Sequence, residues 1–219
     1  MQKLKIILLL FIAGQLQSQL LQNLSLRGKI LGDPGLLEDN LRLNGTLGVE
    51  YEFTKNQSFG VDYIYYQTWT EYDTEKDENT HIYSTEQAFT ILADYRYYFQ
   101  PFNIQTGKFY LSAYYRNTKK TLRSDHDRIY ETTDRVWGNY KYNDIGLALG
   151  YKIPFGIDWD KIGMDANFGM SYRNQTETYS QITDIKLNTI AHYDNVKSTK
   201  WVPSIRLNFY FRLGKRKLE

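Results

Sequence analysis

The sequence predicts an all-β fold, an eight-stranded antiparallel transmembrane β-barrel. Three observations carry this expectation. Between residues 201 and 213, Trp201, Pro203, Ile205, Leu207, Phe209, Phe211 and Leu213 alternate with Val202, Ser204, Arg206, Asn208, Tyr210 and Arg212, a set that is polar apart from Val202. A period of two puts the two sets on opposite faces of a strand. The same alternation recurs in seven further segments, and an export signal precedes them all.

Residues 1–18 read as a secretory signal peptide. Lys3 and Lys5 form a basic n-region, and Ile6 to Ala13 a short apolar h-region. Ser18 is a small residue suited to cleavage, which leaves Gln19 as the mature N-terminus. The eight apolar residues are too few to cross a bilayer as a helix, which takes ~20. Residues 19–219 then form one domain, the barrel. With 0 cysteines there is no disulfide framework, thiolate site or acylated cysteine. The net charge of +2 points to no nucleic-acid partner. The mean hydropathy of −0.57 is polar for a membrane protein. A barrel resolves this, because only alternate residues of each strand meet lipid.

The expected strands are 23–31, 41–54, 57–70, 87–100, 107–118, 141–153, 161–175 and 200–213. On the second, Leu41, Leu43, Leu47, Val49, Tyr51 and Phe53 oppose Arg42, Asn44, Thr46, Gly48, Glu50 and Glu52. On the fourth, Phe89, Ile91, Ala93, Tyr95, Tyr97 and Phe99 oppose Thr90, Asp94 and Arg96. The sixth sets Ile145, Leu147, Leu149, Tyr151 and Ile153 against Asp144, Gly146, Gly150 and Lys152. The seventh sets Ile162, Met164, Ala166, Phe168, Met170 and Tyr172 against Asp165, Asn167, Ser171 and Arg173. The first is the least regular, with Gly28 interrupting Leu24, Leu26 and Ile30.

Connection lengths alternate. Those at 54–57, 100–107 and 154–161 are short, whereas 71–86, 119–140 and 176–199 are long and polar. The intermediate one, 32–40, carries the turn sequence Asp33-Pro34-Gly35. Outer-membrane barrels have short periplasmic turns and long external loops, which sets the orientation. At the short-turn end the apolar face closes in Tyr51, Phe53, Phe59, Tyr97, Phe99, Phe109, Tyr151 and Phe211. At the other end it closes in residues that include Trp69 and Trp201. Amphipathic rings at both boundaries make two aromatic girdles.

Alternation alone does not say which face points inward, and a soluble lipocalin-like barrel is the opposite solution. The polar face favours the membrane form. It carries small residues suited to a narrow lumen, at Gly48, Gly60, Gly146, Ala148, Gly150, Gly163 and Gly169. Its charges are mainly Arg with Asp or Glu, and Lys is scarce. Lumen acids Glu50, Asp62 and Asp94 then require Arg96, Arg116 or Arg206 as partners, giving an ion-pair network that fills the interior.

The stretch Leu47-Gly48-Val49-Glu50-Tyr51-Glu52-Phe53, the Ser18-Gln19 signal end and the terminal strand Leu207-Asn208-Phe209-Tyr210-Phe211 carry a resemblance. The chain resembles the small outer-membrane β-barrel proteins common in Bacteroidetes-type bacteria, with OmpA/OmpX-type architecture. The resemblance implies a bacterial outer-membrane location and a monomer. It implies contact with outer-membrane lipid and lipopolysaccharide, and recognition of the last strand by the barrel-assembly machinery. Gly214 to Glu219 follow that strand where such proteins commonly end in an aromatic residue, and read as a solvated periplasmic tail.

No catalytic constellation stands out. His81, His126 and His192 fall in expected external loops, and none begins a His-x-Ser. Ser124-Asp125-His126-Asp127 holds the ingredients of a hydrolase in reverse order. Asp73, Glu75 and Asp77 imitate the first ligands of a Ca²⁺ loop, but Glu78 stands where glycine belongs and Ser84 where the bidentate glutamate belongs. The basic run Lys119-Lys120-Thr121-Leu122-Arg123 is suited to lipopolysaccharide phosphates or to plain solvation. No cofactor motif is present. The expected role is non-enzymatic, envelope-structural or surface-interacting through long external loops. The alternatives are a lipid A-modifying hydrolase and a small-solute channel.

Overall fold

The computed structural model describes residues 23–31, 45–73, 80–99, 107–128, 133–155, 161–184 and 189–214. For 29–31, 68–73, 80–83, 124–128, 133–136, 179–184 and 189–194 it describes the backbone alone. The signal segment 1–18, the start of the second strand with Leu41 and Leu43, the Asp33-Pro34-Gly35 turn and the tail 215–219 lie outside the described residues.

Eight strands run in chain order around a closed antiparallel barrel. They are β1 Leu24–Leu31, β2 Gly45–Thr54, β3 Gln57–Asp73 and β4 Thr80–Tyr98. The second half is β5 Lys108–Arg128, β6 Thr133–Pro154, β7 Ile162–Asp184 and β8 Thr189–Arg212. Each strand pairs with its sequence neighbours. β1 closes the ring on β8, from Ser25 opposite Arg212 to Leu31 opposite Leu207, with an irregularity between Lys29 and Leu31. The Leu213 amide donates to the Leu24 carbonyl at 3.0 Å and seals the lower end of that seam. Closure leaves no edge strand with unpaired backbone groups.

The strands are longer than alternation predicts. β5 continues ten residues past 118 and β8 begins at Thr189 rather than 200. The expected loops 71–86, 119–140 and 176–199 are therefore largely paired strand, a correction to the sequence reading. The reason is physical. Alternation marks a strand only where one face is buried and the other is not. Above that band both faces are partly open: Ser84, Thr85, Lys120, Leu122, Thr176 and Thr178 are half-buried whichever way they point. Backbone pairing continues there without an apolar pattern to announce it.

Along the lower two-thirds of the wall, burial alternates residue by residue. Leu47, Phe59, Ile91, Phe109, Leu147, Phe168 and Phe209 are exposed on the outside. Glu50, Asp62, Asp94, Arg96, Arg116, Asp144, Asp165 and Arg206 are buried inside. The molecule thus inverts the usual order, with apolar side chains out and charges in. Inward glycines make the interior fit. A Cβ at Gly150 would sit 2.1 Å from the Tyr110 ring, and one at Gly60 would sit 2.2 Å from the Arg27 guanidinium. These positions are glycine because a neighbour's side chain lies directly over the backbone.

Closure is testable because the chain contains no cysteine of its own. Leu26 and Phe211 face each other across the β1–β8 seam. Opposed Cβ atoms in a sheet lie ~4.5–5.5 Å apart, close enough for a disulfide after slight adjustment. The double variant Leu26→Cys with Phe211→Cys should oxidise to an internally cross-linked monomer, read by mobility on a non-reducing gel. An open sheet would give no intramolecular product.

Candidate functional site in the barrel interior

Inward-facing residues of all eight strands converge on one buried polar network. Closing the sheet places strands that are remote in sequence face to face across the lumen, so long side chains meet in its centre. Glu50 on β2 and Lys152 on β6 stand on opposite sides of the ring and meet at 3.1 Å. Glu50 also accepts hydrogen bonds from Ser58 at 2.7 Å and Tyr98 at 2.6 Å, and Arg96 approaches it at 3.5 Å. Glu52 pairs with Arg212 at 2.7 Å and with Lys152 at 3.4 Å.

Arg96 is the hub. It is 0 % exposed and reaches Asp94 on its own strand at 2.7 Å and Asp165 on β7 at 2.7 Å. Its guanidinium also lies 4.6 Å from the Tyr110 ring centroid. Tyr110 donates its hydroxyl hydrogen to Asp165, and Asn167 donates to the same hydroxyl at 3.1 Å. Arg27, from β1, donates to Asp94 at 2.9 Å and lies 2.9 Å from Asp62. One continuous set of contacts thus ties all eight strands together, β5 joining through Tyr110.

A second cluster sits nearer the long-strand end. Asp144 accepts from Arg116 Nε at 2.6 Å and from Arg173 Nε at 2.9 Å. Arg173 lies over the Tyr142 ring at 4.6 Å. Leu92, Tyr114 and Ala148 form a small apolar knot below it, and Thr90 and Thr118 share a hydrogen bond of 2.8 Å.

All six residues singled out from the sequence are buried and face inward, and Arg96 serves two of the expected acids, while Asp62, Arg116 and Arg206 find other partners. Arg96 serves Glu50 and Asp94, while Asp62 is served by Arg27. Arg116 serves Asp144, an acid the sequence reading did not name for it. Arg206 meets no carboxylate at ion-pair distance among the described residues. It donates through Nε to Asn167 at 2.8 Å and lies 4.6 Å from the Tyr114 ring centroid. Its two terminal nitrogens make no hydrogen bond there. Lysine is not excluded from the interior either: Lys108 and Lys152 are both buried, and Lys108 donates to the Lys55 carbonyl at 3.0 Å.

Sequence reasoning missed Arg27, Glu52, Asp144, Lys152, Asp165, Arg173 and Arg212 as members. Most stand at the same parity as the residues it chose, so parity alone names the candidates. What parity cannot say is which strands face one another across the ring. It also missed the inward tyrosines Tyr98, Tyr110, Tyr114 and Tyr210.

The girdle residues Tyr51, Phe53, Phe59, Tyr97, Phe99, Phe109, Phe211 and Trp201 are exposed on the outer face, and Tyr151 is half-buried against Phe109, ring centroids 4.3 Å apart. The Trp69 side chain lies outside the described residues, as do those of the three histidines. The backbone places His81 on β4, His126 on β5 and His192 on β8, not in loops, which corrects the expectation. Ile82 is opposite His126, and His126 is opposite Asp134. The acidic segment 74–79 is outside the described residues. Among those described, no group of three or more His, Asp or Glu is placed to hold a metal ion.

Removing one member of a buried pair leaves the other charge without a partner, which costs about 3–5 kcal/mol. Arg96→Met should therefore destabilise the barrel strongly, and adding Asp165→Asn should recover at least ~1 kcal/mol of that loss, because the two act as a unit. Arg206→Met combined with Glu50→Gln should couple less than that pair, since the two are linked only indirectly, through Asn167, Tyr110, Asp165 and Arg96. Urea unfolding of each single and double variant in detergent micelles reads these couplings. Coupling for the second pair and none for the first would contradict the network as described.

Comparison of the chain with protein-family models, with curated proteins and with solved structures found no match.

Proposed function

We propose that this protein is an exported, integral β-barrel of a bacterial outer membrane. In this reading it is a closed, non-enzymatic scaffold that supports the envelope or presents its projecting strands to surface partners. The observation that carries the proposal is the inversion of polarity around the wall. Leu147 is 58 % exposed and Trp201 67 %, while Glu50 and Arg96 are 0 % exposed. Burying charges and wetting Leu, Ile and Phe is unfavourable in water by about 25 cal/mol for each Å² of apolar surface left exposed. The same arrangement is favourable in a bilayer, where the backbone must be paired internally and the outer face must be apolar.

The interior favours a scaffold over a channel. A lumen of eight strands is just wide enough for its own side chains to fill. Here Glu50–Lys152 and Arg96–Asp165 bridge it from wall to wall. The interior acids Glu50, Glu52, Asp62, Asp94, Asp144 and Asp165 each contact a buried cation, which suits structural charges better than a reacting pair. The surface role passes from long loops to extended walls, because β4 to β8 continue well beyond the apolar band.

Folded protein should migrate differently on a denaturing gel before and after boiling, and should insert into lipid vesicles with β-type circular dichroism. In planar bilayers it should give no steady conductance. Leu147→Arg should lower stability by ~2–4 kcal/mol when that position lies near the bilayer midplane, whereas Ala148→Ser should be mild. An unshifted band, with the protein soluble and monomeric without detergent, would favour a soluble barrel. Steady conductance would favour the channel.

A further inference from the structure

Three rows of outward-facing residues cross the upper wall on β5 and β6 and continue on to β7 and β8. The lowest is aromatic: Tyr115 opposite Ile145, then Tyr172 and Trp201. Two residues higher, Asn117, Asn143 and Asn174 stand side by side, followed by Thr199. Two higher again, Lys119 is directly opposite Lys141, followed by Thr176 and Lys197. Lys119, Lys141 and Lys197 are exposed, and among the described residues none of them has a carboxylate partner. Lys120, the sequence neighbour of Lys119, points the other way and pairs with Glu86 at 2.8 Å.

Two points make this more than a solvated face. First, like charges directly opposite on a sheet repel, and among the described residues no carboxylate offsets the Lys119–Lys141 pair. Second, the pair stands at a particular level. Barrel strands tilt, so a row that follows the pairing climbs around the wall, and height is better counted from the lower end of each strand. Lys119 stands about eleven residues above the start of β5 at Lys108, as Trp201 stands about eleven above the end of β8 at Arg212. A tilted strand crosses a bilayer in about 9–11 residues. Lys141 is two residues higher on its strand by the same count, from Pro154, and Lys197 is higher still.

The amide row is already organised. Asn143 Oδ1 accepts from the Asn117 amide at 2.7 Å and from the Tyr115 hydroxyl at 2.9 Å, which leaves the Asn143 amide hydrogens directed away from both. The neighbouring β3–β4 sector carries no counterpart: Phe89 stands opposite Lys119, and Tyr65 opposite Phe89.

We propose that Lys119 and Lys141, with the Asn117 and Asn143 amides below and Lys197 beside them, form a docking surface for the phosphorylated headgroup of an outer-leaflet glycolipid. This rests on the membrane reading above. The phosphate lies between the two ammonium groups and relieves their repulsion. The amides donate to headgroup oxygens, and the acyl chains run down over Tyr115, Ile145 and Trp201. Basic residues near a membrane surface contribute about 1 kcal/mol each toward anionic lipid, roughly fivefold in affinity.

The test uses the full chain folded in neutral detergent, with bisphosphorylated lipid A as the probe and binding read by fluorescence titration. Lys119→Gln with Lys141→Gln should weaken binding at least tenfold, and adding Lys197→Gln should weaken it further. Lys55→Gln, at the opposite end of the barrel, should change it less than twofold. Dephosphorylated lipid A should bind no better to the parent than phosphorylated lipid A binds to the double variant. Equal binding by parent and double variant, or no preference for the phosphorylated lipid, overturns the proposal. Full competition by millimolar inorganic phosphate also overturns it, by showing a general anion site rather than a lipid surface. Insertion of parent and variants into phosphatidylcholine vesicles is measured in parallel. If all of them insert and lipid A discrimination is absent, the docking surface fails and the membrane reading stands. If none inserts, the membrane reading itself fails.

Discussion

The Glu50–Lys152 contact, made across the full width of the ring, is the constraint on which the rest of the structure turns. Closing eight strands into a barrel decides that one face of every strand shares a narrow, buried interior. That face carries carboxylates and guanidinium groups. Each isolated charge there would face a desolvation penalty of several kcal/mol, so most meet an opposite charge, while Arg206 is held by Asn167 and the Tyr114 ring. Arg96 meets this by serving acids from β2, β4 and β7 at once. The network and the ring are therefore interdependent. The charges hold opposite walls at a fixed spacing, and the closed walls keep water from competing with the charges.

The tyrosines extend this logic. Tyr98 and Tyr110 each bring a broad apolar ring and one hydroxyl into the centre, and their rings meet edge to face at 5.4 Å. The rings fill space between ion pairs while the hydroxyls complete the lone pairs of Glu50 and Asp165. Room for such rings exists because the facing positions are glycine, as at Gly150 beneath Tyr110. Specific shape and specific charge are obtained from one set of residues.

The exterior divides into levels. A band of Leu, Ile, Met and aromatic residues covers the lower wall. Above it, apolar side chains give way to asparagine, threonine and lysine on β5 to β8, while the strands themselves continue to pair. The change follows the strand pairing as it climbs from Lys119 to Lys141 and Lys197 on one side of the barrel, which accords with the membrane reading proposed above. Beyond it the strands continue to pair through their backbones.

The alternation of Trp201 to Leu213, and its recurrence in β2, β4, β6 and β7, determined the strand count, the up-and-down order and the two faces. It did so because burial on one face imposes a period of two directly on the residue string. It also placed Glu50, Asp62, Asp94, Arg96, Arg116 and Arg206 on a single face. It did not determine where the strands end, since at Lys120, Leu122 and Thr178 both faces are partly open and the pattern has no cause. Nor did it determine who pairs with whom. Arg206 stands by Asn167 and Tyr114 rather than an acid, Asp62 depends on Arg27 from β1, and Glu50 depends on Lys152 from β6. Those choices follow from the stagger and closure of the ring, which fix the strands that face each other across the lumen. That is a property of the whole sheet, and no local stretch of sequence contains it.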